Sequence, residues 1–123
     1  MKIAMPVNAK SMHASISDTF GRTEYFLIYD TENKSCFYID NQALNSQSGA
    51  GIKAAQLMVD YQVEALLTPQ CGVNAAKVLQ PDGVSIYKTS YPLAVDNITA
   101  FQKDQLARMG HIHGGFHGSS GGN

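Results

Sequence analysis

Short apolar runs separated by polar segments dominate the hydrophobic pattern of the chain. Runs of this length, rich in aromatic and β-branched residues, are typical of buried strands. The predicted strands are Lys2–Val7, Tyr25–Asp30, Cys36–Asp40, 63–67 and 84–88. Residues 31–35, between the second and third runs, carry turn-forming side chains. These two runs are therefore predicted to form an antiparallel hairpin.

The apolar period changes to that of a helix in three places. The first and last of these segments begin after residues that can cap a helix, and the second ends at Pro81. The predicted helices are the segment after Ser48-Gly49 that contains Ile52 and Val59, residues 74–80, and residues 97–108. We expect Asp96 to cap the last helix and its apolar side chains to face the core.

The predicted element order is β-β-β-α-β-α-β-α. Strands that alternate with helices imply right-handed parallel crossovers, whereas the early hairpin implies an antiparallel extension of the sheet. The fold class is therefore α/β, with a mixed sheet and flanking helices.

Residues 109–123 have a different composition, with glycine as the commonest residue and three histidines. A segment so rich in glycine buries too little surface to offset the entropy of ordering. We therefore predict one domain over residues 1–108 and a flexible Gly/His-rich tail over 109–123.

Charge and cysteine content narrow the class of function. The formal net charge is −1, so no electrostatic argument favours nucleic acid or an anionic membrane as a partner. The apolar runs are too short to span a bilayer. Two cysteines, Cys36 and Cys71, do not form a disulfide framework, which favours a reducing, cytoplasmic setting.

Cys71 and Gly72 stand at the junction between the fourth strand and the second helix. The first amides of a helix lack partners and carry partial positive charge, so such a turn holds anions. A thiol at this place is expected to have a lowered pKa and to act as a soft metal ligand. Its alternative role is that of a small buried hydrophobe. The loops 8–22 and 68–74 should meet where strand order reverses, and the segment 46–51 either joins them or lies to the side.

The candidate metal ligands are few. Besides Cys71, the sequence offers Met12 and His13 in the first loop, and Arg22 could neutralise an anionic ligand or pair with an acid. Histidine-rich tracts bind Zn, Ni or Cu. The tail supplies such a tract, with its histidines at His111, His113 and His117. No nucleophile elbow, triad or carboxylate pair stands out, so we predict that the protein is not an enzyme.

Four motifs resemble the dinitrogenase iron–molybdenum cofactor biosynthesis family. They span much of the chain in a fixed order, and the resemblance covers about residues 1–106. The motifs are MKIAMPV (1–7), Phe20-Gly21-Arg22 with Tyr25-Phe26, GAGIKAAQ (49–56) and Cys71-Gly72-Val73-Asn74-Ala75. Members often have His where this chain has Thr19, and many have Pro where it has Val73.

The resemblance implies a ribonuclease H-like α/β fold with a mixed five-stranded sheet in the order 3-2-1-4-5. It also implies a nitrogenase accessory factor-like role in holding or carrying metal–sulfur clusters. Our leading hypothesis is a small carrier of an anionic iron- and/or molybdenum-containing metal–sulfur cluster or its precursor. The candidate cluster-binding residues are Cys71, Gly72, Val73, Asn74, Arg22, Met12 and His13.

Two other hypotheses remain open from the sequence. In one, the protein is a metallochaperone that binds Zn, Ni or Cu through its histidine tail. In the other, it is an apo regulatory or interaction domain. We expect the partners to be the cluster itself or cluster-assembly proteins, and a homodimer is possible.

Overall fold

The structure, a computed structural model, describes residues 1–110. The predicted order of strands and helices is confirmed, with an added 3₁₀ turn at Gln80–Asp82. The elements are β1 (Lys2–Val7), β2 (Tyr25–Asp30), β3 (Cys36–Asp40), α1 (Ala50–Asp60), β4 (Ala65–Thr68), α2 (Val73–Leu79), β5 (Ser85–Lys88) and α3 (Ala94–Gln102).

The strands form one sheet in the order β3-β2-β1-β4-β5. β1 pairs antiparallel with β2, and β2 pairs antiparallel with β3. On its other side β1 pairs parallel with β4, which pairs parallel with β5. The predicted mixed sheet in the order 3-2-1-4-5 is confirmed, and the ribonuclease H-like designation stays a prediction. Strand order reverses between β1 and β4, and the loops that follow these strands border a crevice at this edge of the sheet.

Each face of the sheet is covered by its own hydrophobic cluster. Side chains alternate along β1, so Ala4 faces α1 and α2 whereas Ile3 and Met5 face α3. The cluster under α1 and α2 includes the fully buried Leu66, and Leu67 lies in the other cluster. Because both faces are covered, β1 and β4 read as continuous apolar runs rather than as alternating patterns.

The predicted start of β4 at residue 63 is two residues too early. Gln62 has a left-handed φ of 61°, and the Val63 amide donates to Met58 O at 3.0 Å. These residues therefore close the end of α1, and pairing with the sheet begins at Ala65.

Among residues 1–110, no helix is both long and apolar enough to cross a membrane.

The predicted bounds of the last helix, 97–108, are wrong. The helix begins at Ala94 and ends at Gln102, and Asp96 lies in its first turn instead of capping it. Asp104 turns the chain with a φ of 59°. The Lys88 amide then donates to Ala107 O at 2.8 Å, and the Met109 amide donates to Ile86 O at 2.7 Å. The final segment thus runs antiparallel along β5, which a helix could not do.

Asn97 sets the early start of α3. This fully buried side chain accepts hydrogen bonds from the amides of Ser90 and Tyr91. It also donates to Tyr91 O and Leu93 O, each at 2.8 Å. The four bonds fold the segment before the helix against its first turn, so that the chain enters the helix at Ala94.

We expect Asn97→Ala to lower the free energy of unfolding by about 2 kcal/mol, because it leaves buried amide and carbonyl groups without partners. Urea denaturation measures the loss. Thr99→Ala, on the exposed side of the same helix, should stay within about 0.5 kcal/mol of the parent. Equal losses in the two variants would contradict this role for Asn97.

Candidate functional site

A cleft of about 410 Å³ opens at the carboxyl ends of β1 and β4. It lies where strand order reverses, between the end of the first loop and the starts of α1 and α2. Its lining residues are Thr19, Phe20, Gly21, Gly49, Ala50, Gly51, Ile52, Gln70, Gly72, Val73, Asn74 and Ala75. Of the segment 46–51, Gly49, Ala50 and Gly51 line the cleft, so this segment contributes a wall instead of lying to the side.

The start of α1 supplies free backbone donors to this wall. Gly49 precedes the helix with a left-handed φ of 71°, and no side chain within residues 1–110 caps the helix. The first helical hydrogen bond runs from the Lys53 amide to Gly49 O at 3.0 Å. The amides of residues 50–52 therefore have no partner inside the helix and carry its partial positive charge.

The start of α2 repeats this arrangement on the facing side. Gly72 is extended, with φ −71° and ψ 160°, and again no described side chain caps the helix. The Ala76 amide donates to Gly72 O at 3.0 Å, which leaves the amides of residues 73–75 unpaired within the helix. Two helix starts thus direct partial positive charge toward one cleft.

The described lining of the cleft contains no ionisable side chain. Its electrostatic character therefore comes from backbone amides, with polar groups of Thr19, Gln70 and Asn74 beside the apolar Phe20 and Ile52. Such a lining suits an anion of low charge density that has both polar and soft, apolar surface.

The two loops at the cleft are tied across strand reversal. Gln70 Nε2 donates to Asp18 O at 2.6 Å, which confirms that the loops after β1 and β4 meet. Thr68 Oγ1 donates to Gln70 O at 2.9 Å and so holds Gln70 within its own loop.

Gly21 makes the closest backbone approach in the cleft. A Cβ atom on Gly21 would lie 2.8 Å from Gly51 N and 3.0 Å from Ala50 C. Neither neighbour is the end of a flexible side chain, so any larger residue would push the first turn of α1 outward. The Phe-Gly-Arg triplet of the sequence thus has a packing reason for its glycine.

We expect Gly21→Ala to lower the free energy of unfolding by about 1–3 kcal/mol through this overlap. The matched control is Gly51→Ala, since a Cβ on Gly51 meets only Ala75 Cβ, at an ordinary contact distance of 3.7 Å. That variant should not lower the free energy of unfolding, because alanine favours a helix more than glycine does. Urea denaturation of both decides, and an unaffected Gly21→Ala would show that the backbones are not in contact.

Cys71 is half-buried beside the cleft and packs against the cluster under α1 and α2. Its Sγ lies 3.7 Å from Gly72 O, and burial raises the pKa of the thiol to about 11. The expected lowering of this pKa is therefore wrong, because desolvation of the thiolate outweighs the partial charge of the short helix. At neutral pH Cys71 is a thiol.

We expect alkylation of Cys71 by iodoacetamide to accelerate about tenfold per pH unit through neutral pH, since only the thiolate reacts. The rate should level off near pH 11, where the pKa of the thiol lies. Mass spectrometry of a Cys36→Ser variant isolates Cys71. The pH at which the rate levels off reports the pKa of the thiol, whereas limited access of the reagent to Cys71 changes only the rate itself. A plateau near pH 8 would contradict the raised pKa.

Met12 and His13 lie away from the cleft. Met12 packs into the cluster under α3, and its carbonyl accepts the Val95 amide at 3.0 Å. The next residue, His13, is exposed, and Ala14 O accepts the Ala94 amide at 2.9 Å. The first loop thus begins on the α3 face and reaches the cleft only at Thr19. The expected wall of Met12 and His13 opposite Cys71 is replaced by Phe20, Gly21 and the start of α1.

Arg22 also points away from the cleft lining. Its guanidinium donates to Leu44 O at 3.0 Å, which ties the first loop to the segment before α1. The expected neutralisation of an anion by Arg22 therefore finds no support in its contacts.

No group of three or more His, Cys, Asp or Glu within residues 1–110 could together hold a metal ion. His111, His113 and His117 lie outside the described residues, so metal binding by the tail stays a prediction. Met109, within the predicted tail, donates to Ile86 O and contacts the core. The predicted boundary after residue 108 also stays a prediction.

Comparison with known sequences identifies the family. The profile described as dinitrogenase iron-molybdenum cofactor matches residues 1–104. The chain belongs to the dinitrogenase iron–molybdenum cofactor family. The resemblance seen in the sequence motifs is thereby confirmed.

Relatives of this family member share its sequence and fold over nearly their whole length. An uncharacterized protein of Methanocaldococcus jannaschii is 31% identical over 112 residues, covering 89% of this chain and 92% of its own. The NMR structure of a proposed NifB protein from Thermotoga is 30% identical, with a TM-score of 0.80 over 94% of this chain and 98% of that one.

The apo form of the orange protein from Desulfovibrio gigas is similar in fold. Its structure has a TM-score of 0.86 at 24% identity and covers 91% of this chain and 95% of that one. The mixed sheet and its helices therefore recur in proteins of low sequence identity.

Several cleft residues of this family member were missing from the predicted site. They are Thr19, Phe20 and Gly21 at the end of the first loop, Gly49–Ile52, Gln70 and Ala75. The signal for most of them was already present, since Phe20-Gly21 and Gly49-Ala50-Gly51 belong to the motifs shared with the family. The motifs did not show that Phe20-Gly21 packs against the start of the helix that Gly49-Ala50-Gly51 forms.

Proposed function

We propose that this protein holds and carries an anionic metal–sulfur cluster, or its iron- and/or molybdenum-containing precursor, in the cleft between α1 and α2. The observation that carries the proposal is the convergence of two helix starts, free of side-chain caps among the described residues, on a cleft without ionisable lining. Membership of the dinitrogenase iron–molybdenum cofactor family supports this class of cargo.

The donor set favours a cluster that arrives already assembled. Within residues 1–110 no group of protein ligands could build a metal site, and Cys71 is the one thiol beside the cleft. Iron–sulfur clusters built into proteins are usually held by several cysteines. A cluster that brings its own sulfide needs only hydrogen-bond donors and charge compensation, which unpaired helix amides provide.

Cys71 remains our proposed direct ligand among the side chains. A metal can displace the thiol proton despite the raised pKa, because thiolate coordination repays the loss. Of the other candidates, Gly72, Val73 and Asn74 act through backbone amides and the Asn74 side chain. Arg22, Met12 and His13 would need to move to reach the cargo, so we assign them no contact with it.

The proposed role is binding and transfer rather than a chemical reaction. Proteins that assemble or accept clusters are the expected partners, and nucleic acid and membranes are not. A cytoplasmic setting and a homodimer stay predictions.

Anaerobic reconstitution with iron, sulfide and molybdate tests the proposal. We expect charge-transfer absorption in the visible region, together with metal and acid-labile sulfide at a fixed ratio to protein. Cys71→Ala should weaken the absorption, because it removes the proposed thiol ligand. Unchanged spectra would show that the cluster is held by backbone amides without Cys71. A colourless, metal-free product, together with no binding of preformed tetrathiomolybdate, would overturn the proposal and favour the apo interaction domain.

A chain ending at Gly110 separates cleft from tail in the same assay. The described chain runs antiparallel along β5 and ends near the amino end of that strand, away from the cleft. Retained absorption in the shortened chain supports the cleft. Loss of all bound metal would instead favour the metallochaperone alternative, in which His111, His113 and His117 bind Zn, Ni or Cu.

Asn74→Asp tests the sign of the charge that the cleft prefers. The new carboxylate lies in the first turn of α2, where an acid preserves or raises helix stability but repels an anion. We expect about a tenfold loss of affinity for tetrathiomolybdate, followed by its visible absorption. Gln102→Glu, an exposed change of equal charge at the end of α3, should leave affinity unchanged. Equal affinity in the two variants would exclude the cleft as an anion site.

A further inference from the structure

Asn41 is a buried polar residue just after β3 whose side-chain amide donates to the loop that ends at the cleft. Its Nδ2 donates to Gly21 O at 2.8 Å and to Thr23 O at 2.9 Å. Its Oδ1 accepts the Ala43 amide at 3.0 Å. Both amide hydrogens of the side chain are therefore used, and each satisfies a carbonyl of the first loop.

The backbone of Asn41 adds two more connections. Its amide donates to Glu24 O at 3.0 Å, and its carbonyl accepts the Leu44 amide at 3.1 Å. Asn41 thus joins the loop that ends in Gly21 to the segment 41–49, which leads into α1. Arg22 crosses the same gap through its bond to Leu44 O.

The bond to Gly21 reaches the cleft through one further contact. The Gly21 backbone lies against Gly51 N, so closely that a Cβ would stand 2.8 Å away. Whatever fixes the Gly21 carbonyl therefore also fixes the spacing between the first-loop wall and the unpaired amides of α1.

We propose that Asn41, which does not line the cleft, is the positioning residue that sets this spacing for the bound anion. The proposal rests on the proposed function for its ligand. The bonds from Asn41 to Gly21 O and Thr23 O, which we call the brace, are a property of the free protein. Donors aimed at a ligand must be held by surrounding hydrogen bonds to be effective. Asp cannot replace Asn41, because a carboxylate lacks the two donors.

Asn97 provides a matched control, since a general loss of stability could also weaken binding. It too is a buried Asn whose Nδ2 donates to two backbone carbonyls, but they belong to the segment before α3 on the other face of the sheet. Asn97→Ala should therefore destabilise the fold without disturbing the cleft.

The experiment compares Asn41→Ala, Asn41→Ser and Asn97→Ala in the full chain. The probe is tetrathiomolybdate, titrated anaerobically at a temperature where urea denaturation shows each variant to be folded. We expect Asn41→Ala to bind roughly tenfold more weakly, and Asn97→Ala to stay within about twofold of the parent. In Asn41→Ser the hydroxyl can still accept the Ala43 amide, and this variant replaces Asn41→Ala in the comparison if the alanine variant does not fold. Equal losses at positions 41 and 97 would overturn the proposal.

Amide NMR spectra of the ligand-free variants supply a second readout. We expect the Gly21 and Gly51 amide resonances to shift in both Asn41 variants and to remain in place in Asn97→Ala. Unshifted resonances would overturn the brace whatever the binding result. If the parent binds no tetrathiomolybdate, the proposed function loses its support, and the spectra still decide whether Asn41 positions the cleft.

Discussion

The backbone contact between Gly21 and the first turn of α1 is the constraint on which the cleft depends. It brings the end of a long loop within van der Waals distance of a helix start, and only glycine leaves room for it. Hydrogen bonds of Asn41 and Arg22 join the first loop to the segment that leads into this helix. The consequence is a cleft with a fixed wall, even though that wall consists of loop.

The cleft takes its polarity from peptide groups rather than from charged side chains. Its described lining has no ionisable residue, and the nearby thiol is protonated at neutral pH because burial raises its pKa to about 11. Backbone dipoles, unlike ionisable side chains, cannot be neutralised by gaining or losing a proton. They therefore suit the anionic cargo that we propose for this cleft.

Sequence reasoning predicted the sheet well and the site in part. The strands and their order followed from apolar runs, turn residues and family motifs, because burial on both faces leaves a strong local pattern. The helix over 97–108 was misplaced, since the bonds of Asn97 and the return of residues 107–109 to β5 involve partners far along the chain or outside the helix. Met12 and His13 were expected near Cys71 because one loop holds them, yet that loop spans both faces of the sheet.

By itself the sequence determined the element order, the family and the chemistry available at the strand-to-helix turn of Cys71. These depend on local periodicity and on short motifs. Only the tertiary structure decided that Gly21, Gly51 and Gly72 surround one cleft, that Arg22 braces a loop, and that the Cys71 thiol is desolvated. Each of these depends on which distant segments pack together, and packing, unlike periodicity, leaves no mark on neighbouring residues.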